Sequence, residues 1–161
     1  MASYIGSYSL NFGAFFSILI FFFSFRNLKN TEILDNKIFY LSFMQFFFIL
    51  ISFLGLIFSF IVSDFSNETV YNHSHSTKPL FYKVSGSWGN HEGSLLLWLL
   101  VLTLFITLFI IDSKKQPNKY RVLTILFQQI IIIGFLVFLL KTSNPFNFIF
   151  PSPKEGLGLN P

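Results

Sequence analysis

The sequence predicts an all-α integral membrane protein: four transmembrane helices, an outer-side loop between the second and third, and an irregular Pro/Gly-rich tail. Three observations carry this. Of 161 residues, 53% are hydrophobic, 25 of them phenylalanine, and only 11% are charged. A soluble domain would have about a quarter of its residues charged. Four apolar runs, near 8–25, 38–62, 94–111 and 122–140, contain no ionised side chain. Each approaches or exceeds the ~17–25 residues that cross a bilayer as a helix. A helix is the expected form because a lone strand would leave its backbone groups unpaired in lipid.

Composition also excludes. The net charge of +4 does not mark a nucleic-acid binder, because Lys and Arg sit in short loops rather than clustered on one face. There is no cysteine, which removes disulfides, thiolate metal sites and a cysteine nucleophile. No Lys or Arg precedes Arg26. The basic start of a signal peptide and the Arg-rich character of a transit peptide are therefore missing, and the first run is expected to be a retained span. Residue usage leans to Phe, Ile, Asn, Lys and Tyr, as AT-rich codons would produce in an organelle or an AT-rich bacterium.

In the first run, Gly6, Ser9, Gly13, Ser17 and Ser24 fall on one side of a helix. In the second, Gln45, Ser52, Gly55 and Ser59 do the same. Small and weakly polar residues let membrane helices approach closely, so both stripes read as packing faces. The third run, 94–111, is almost wholly Leu, Ile, Val and Phe and gains on the order of 4–8 kcal/mol on insertion. An acid at its centre would offset roughly 3 kcal/mol of that, so Glu92 belongs at or outside the interface and the span starts close to Ser94. The fourth run carries Gln128 and Gln129. After it, Pro145, Pro151, Pro153 and Pro161 with Gly156 and Gly158 forbid regular structure, and the tail 142–161 reads as an outer loop.

Loop charges orient the chain. The first connection holds Arg26, Lys29 and Lys37, and the third holds Lys114, Lys115, Lys119 and Arg121. The long loop 63–93 has only Lys78 and Lys83, and the tail Lys141 and Lys154. The two short basic connections belong on the cytoplasmic or matrix side. The N-terminus, the long loop and the tail then face the periplasm or intermembrane space.

The densest chemistry lies where the long loop meets the third span, in Gly86-Ser87-Trp88-Gly89-Asn90-His91-Glu92-Gly93-Ser94 followed by Leu95-Leu96-Leu97-Trp98. Trp88 and Trp98 suit the headgroup level. Asn90 is a good N-cap and Glu92 suits the positive end of a helix. His91 has no purely structural role on this reading. A zinc-protease helix would need a second histidine four residues after His91; Leu95 stands there, and no metal site is expected. His73 and His75 could ligate a metal or a haem, though a solvated loop is the plainer state for them. Asn67-Glu68-Thr69 and Asn72-His73-Ser74 match the glycosylation pattern, which matters only in a secretory membrane.

The run from Tyr82-Lys83-Val84-Ser85-Gly86 through Trp88-Gly89-Asn90-His91-Glu92-Gly93-Ser94 to Trp98 closely resembles the first outer loop of the CcmF family, the large membrane proteins of multi-component cytochrome c maturation. Thr142-Ser143-Asn144-Pro145-Phe146, then Pro153, Gly156 and Gly158-Leu159-Asn160-Pro161, resemble the family's next outer loop. The resemblance covers essentially the whole chain and implies an N-terminal part of a haem lyase, either a separate piece of a split protein or a truncated sequence. It implies haem as the cofactor handled, taken from a CcmE-type chaperone. The haem vinyl groups are joined to the thiols of a Cys-x-x-Cys-His motif in apocytochrome c, which a CcmH-type protein presents. Further partners are the remaining C-terminal part of the lyase and membrane lipid, with no nucleic acid.

The sequence stops at Pro161, before the family's Leu-Leu-Gln-Asp-Pro stretch, its tryptophan-rich haem-handling loop and its haem-ligating histidines. None of the three histidines here matches a family ligand position or is expected inside a span, and no catalytic residue is assigned. The outer-loop candidates for contact with haem are Trp88, His91 and Trp98. The mitochondrial inner membrane is the favoured location and a bacterial plasma membrane the alternative. A competing function is an organelle-encoded accessory subunit of a respiratory complex; the spans lack the ionisable groups of a proton-handling subunit, which counts against a pumping subunit but not against an accessory one. A small transporter would want a polar-lined span, for which Gln45, Gln128 and Gln129 are the candidates.

Overall fold

A computed structural model describes residues 1–28 and 36–158. Lys29 of the first basic connection and Leu159-Asn160-Pro161 of the tail motif lie outside the described residues. Among the described residues, four helices are long and apolar enough to cross a membrane. These are α1 (Ala2–Asn27), α2 (Asn36–Ile61), α5 (His91–Asp112) and α6 (Asn118–Lys141). Two short helices, α3 (Glu68–His73) and α4 (Leu80–Gly86), lie in the long loop, and a 3-10 turn (Ser113–Lys115) follows α5. The protein is an all-α integral membrane protein.

Local chemistry sets the ends. Ser63 takes the left-handed conformation (φ 55°) that terminates many helices. The Asp64 amide then closes onto the Ser59 carbonyl at 3.0 Å. At the start of α5 the Asn90 side-chain oxygen accepts the Gly93 amide at 2.7 Å, which satisfies one of the unpaired donors of a first turn. That cap makes His91 the first residue of α5, so the helix begins before the hydrophobic run at 94. α1 likewise starts at Ala2 rather than near 8. Its first turn is held by partners on the α2 side: the Ser3 hydroxyl bonds Ser59 at 2.9 Å and donates to Asp64 at 3.0 Å.

The spans alternate in direction, with α1 between α2 and α6 and α5 closing the ring on the far side. The two packing faces meet. A side chain on Gly13 would press on Ile49, and one on Gly55 would lie 3.1 Å from the Gly6 Cα. Several polar groups inside the bundle are paired across helices. The Ser52 hydroxyl donates to the Gly6 carbonyl at 2.9 Å, and the Ser42 and Thr107 hydroxyls share a bond of 3.0 Å. Gln45 and Gln129, both with no exposed surface, donate to each other at 3.2 and 3.1 Å, while Ser17 donates to Gln129 at 2.8 Å. This cluster ties α1, α2 and α6 together. Two of the glutamines that suggested a polar path are thus consumed by helix–helix bonds.

The outward faces carry Phe12, Phe15, Phe22, Phe47, Phe58 and Phe105, which a bilayer solvates. The described cations Arg26, Lys37, Lys114, Lys115, Lys119 and Arg121 sit at the end of the bundle remote from α3, α4 and the tail.

Candidate functional site at the loop end

The opposite end is capped by a layer made from the long loop and the tail. Asn67 is its pivot. The Asn67 side-chain oxygen accepts the Thr69 and Val70 amides, capping α3, and its amide nitrogen donates to the Pro145 carbonyl at 3.0 Å. The side chain is fully buried. The tripeptide at 67–69 that matched a glycosylation pattern is therefore a helix cap whose amide is already committed.

The tail, although irregular, is bound along its length. The Glu68 amide donates to the Asn147 carbonyl and the Ile149 amide to the Ser66 carbonyl, both at 2.9 Å. The Leu157 and Gly158 amides donate to the Tyr71 and Ser74 carbonyls at 2.9 and 3.1 Å. Phe146 is buried against Gly6, and Phe148 stacks on Tyr4 at 4.4 Å. Glu155 accepts the Ser76 amide at 2.8 Å and the Ser76 hydroxyl at 2.6 Å. Those two bonds, the hydroxyl first, pull its carboxyl from the usual 4.5 down to about 2. His75 bonds Thr77 at 2.9 Å and lies 3.8 Å from Glu155.

A cavity of about 510 Å3 opens in this layer, lined by His73, Lys78, Tyr82, Ser85, Gly86, Trp88 and Gly89. The chain turns tightly through it: the Trp88 and Gly89 amides both donate to the Ser85 carbonyl, at 3.2 and 3.0 Å. The Asn90 amide nitrogen donates to the Gly86 carbonyl at 2.7 Å, fastening this turn to the cap of α5. Lys78 donates to the His73 carbonyl at 2.7 Å, and burial lowers its pKa.

The three sequence candidates separate. Trp88 lines the cavity and is 40% exposed. His91 stands outside its lining, with Nδ1 3.2 Å from the Ser143 hydroxyl and its ring edge-on to Phe138 at 6.1 Å. It joins the start of α5 to the end of α6. Trp98 lies two turns further along α5, 61% exposed, where an interfacial ring would sit. Of the remaining lining residues, Tyr82, Ser85, Gly86 and Gly89 belong to the distinctive stretch. The sequence pairs His73 with His75 as possible ligands, and marks Lys78 only as one of two cations in the long loop.

The architecture defines a class, a helical membrane protein that carries an aromatic and cationic cavity in its extramembrane layer. No protein-family model matches the chain. The cytochrome c-type biogenesis protein CycK of Rhizobium meliloti is 46% identical over 110 residues, 68% of this chain and 16% of that protein. The cytochrome c-type biogenesis protein ccl1 of Rhodobacter capsulatus is 44% identical over 117 residues, 73% of this chain and 18% of the relative. The solved structure of the cytochrome c heme lyase CcmF superposes with a TM-score of 0.80 at 26% identity, over 91% of this chain and 25% of that one. The chain belongs to the CcmF and CycK family of cytochrome c-type biogenesis proteins, and it spans less than a fifth of the length of the two relatives named.

Proposed function

We propose that this chain serves c-type cytochrome biogenesis as the N-terminal portion of a CcmF-type haem lyase, completed by the remaining part of that lyase. The observation that carries this is the joint similarity in sequence and fold to cytochrome c biogenesis proteins, including a heme lyase. On this reading the loop end faces the intermembrane space or periplasm and the cationic end faces the matrix or cytoplasm, because basic connections stay on the negative side. The AT-rich residue usage favours the mitochondrial inner membrane. A CcmE-type chaperone, a CcmH-type protein and apocytochrome c are the expected partners, and haem is cargo passed between them.

The chain's own residues suit a wall of that path better than its reactive centre. Trp88 offers a flat apolar surface beside a cation, Lys78. His91 acts as a positioning residue, bonded to Ser143, that holds the two outer helix ends around the turn. Trp88→Ala and His91→Ala in the intact complex are expected to lower the yield of holocytochrome c and the haem content of the complex. Unchanged yield and haem content in both variants would sink the reading. Co-purification with haem-delivery proteins, rather than with a respiratory complex, separates it from the accessory-subunit alternative.

A further inference from the structure

Three chemistries meet in the loop-end cavity. Tyr82 and Trp88 supply ring surfaces that remain 58% and 40% exposed, more than aromatic side chains of a finished interior would keep. Lys78 supplies an ammonium anchored by one bond to the His73 carbonyl, with N–H groups to spare. His73 supplies an imidazole whose ring has no hydrogen-bond partner among the described residues, whereas His75 is engaged by Thr77 and Glu155. Gly86 and Gly89 add backbone without bulk, and among the described residues no carboxylate lines the cavity. Ligand sites of this size characteristically join apolar walls to a few convergent polar groups. A flat apolar wall, one cation and one free imidazole select a planar amphipathic anion, and above all one with a metal at its centre.

We infer that this cavity is a docking site for a carboxylated tetrapyrrole. Tyr82 and Trp88 cover one face of the macrocycle, Lys78 pairs with a propionate, and His73 meets the iron. The assignment of haem rests on the haem-lyase reading above; the ligand class rests on the cavity itself. It places a haem contact within this chain, on the end of α3, the α3–α4 turn, α4 and the Trp88 turn, in addition to any site elsewhere in the complete lyase.

The full chain in lipid nanodiscs is titrated with ferric haem and, separately, with iron-free protoporphyrin IX, following Soret absorbance. Both are expected to saturate at one equivalent. Lys78→Gln and Trp88→Ala weaken both ligands by about tenfold, the loss of one charge-assisted bond or one stacking surface, while Lys78→Arg restores binding. His73→Ala weakens haem and shifts its Soret band but leaves protoporphyrin IX unchanged, a split that a misfolded loop would not produce. His75→Ala and Trp98→Phe change neither. Non-saturable uptake, as simple partition into lipid gives, overturns the site; so does haem binding that His73→Ala and Lys78→Gln leave intact. Holocytochrome c yield is read in parallel. Yield that falls in these variants while haem binding persists overturns the site and spares the haem-lyase reading. Binding lost with yield unchanged supports the site and counts against that reading.

Discussion

In the bundle, α1 and α2 meet through side chains: Gly6, Gly13 and Gly55 allow the approach, and Ser3, Ser52 and Ser59 bond across it. In the loop-end layer the chain meets itself through backbone, with amides at 68, 149, 157 and 158 bonding carbonyls from a segment far off in sequence. The difference follows from the solvent. Helices in lipid have satisfied their own backbone, so only side chains remain to recognise a neighbour. The tail has no helix to satisfy its backbone and the loop only two short ones, and burying the remaining groups without partners would be costly. The bundle should therefore tolerate the loss of one polar side chain, while the loop end should respond sharply to a change of backbone geometry.

The strongest test of that contrast is a single added methyl. In Gly93→Ala the new Cβ would lie 1.7 Å from the Ser87 carbonyl oxygen, and the obstacle is backbone. A loss of roughly 3 kcal/mol is expected, read from thermal unfolding in micelles. Gly134→Ala in α6 meets nothing within 4 Å and should be neutral or gain up to about 1 kcal/mol of helix propensity. Equal effects at the two glycines would erase the comparison.

Asn67→Ala removes a cap and a cross-link together, at about 1–2 kcal/mol. Hydrogen exchange should show faster exchange of the Ile149 amide while the α2 amides keep their protection. Inside the bundle, Gln129→Leu is expected to cost about 1 kcal/mol, the scale of a polar contact between membrane helices. The double variant Gln45→Leu/Gln129→Leu should cost less than the sum, since no amide is then left unpaired. A strictly additive result would mean that the pair contributes nothing as a pair.

The smallest effect concerns pH. The Glu155 carboxyl is depressed from 4.5 to about 2 by the Ser76 hydroxyl and amide. Its hold on the tail is complete above about pH 4.5 and is lost as pH falls through about 2. The Ser76 amide resonance should titrate with a midpoint near the lower value, and Glu155→Gln should remove that titration. A midpoint near 4.5 would mean that the tail is not fastened there.

The spans were legible because lipid demands uninterrupted apolar length. Their packing faces were legible because Gly and Ser recur on one side, as buried Gly6, Gly13, Ser17, Ser52 and Ser59 bear out. Helix ends were less so: α1 extends to Ala2 because Ser59 and Asp64, some sixty residues away, receive Ser3. The cap by Asn90 was visible, since a cap is local. The cavity was legible only in part. Trp88 stands in a conspicuous stretch, but Lys78 and His73 reach it through the turn between α3 and α4, which no periodicity announces.

The sequence by itself determined that this is a four-span membrane protein and which faces of its first two helices pack, because both follow from side-chain chemistry repeated at fixed spacing in one solvent. Tertiary structure alone decided that the Pro/Gly-rich tail binds back over the long loop. It likewise decided that Gln45 and Gln129 are structural ties, and that His91 and Trp88 serve different neighbours. These outcomes depend on which distant backbone or side-chain group is left without a partner, and that is settled only when the whole chain has packed.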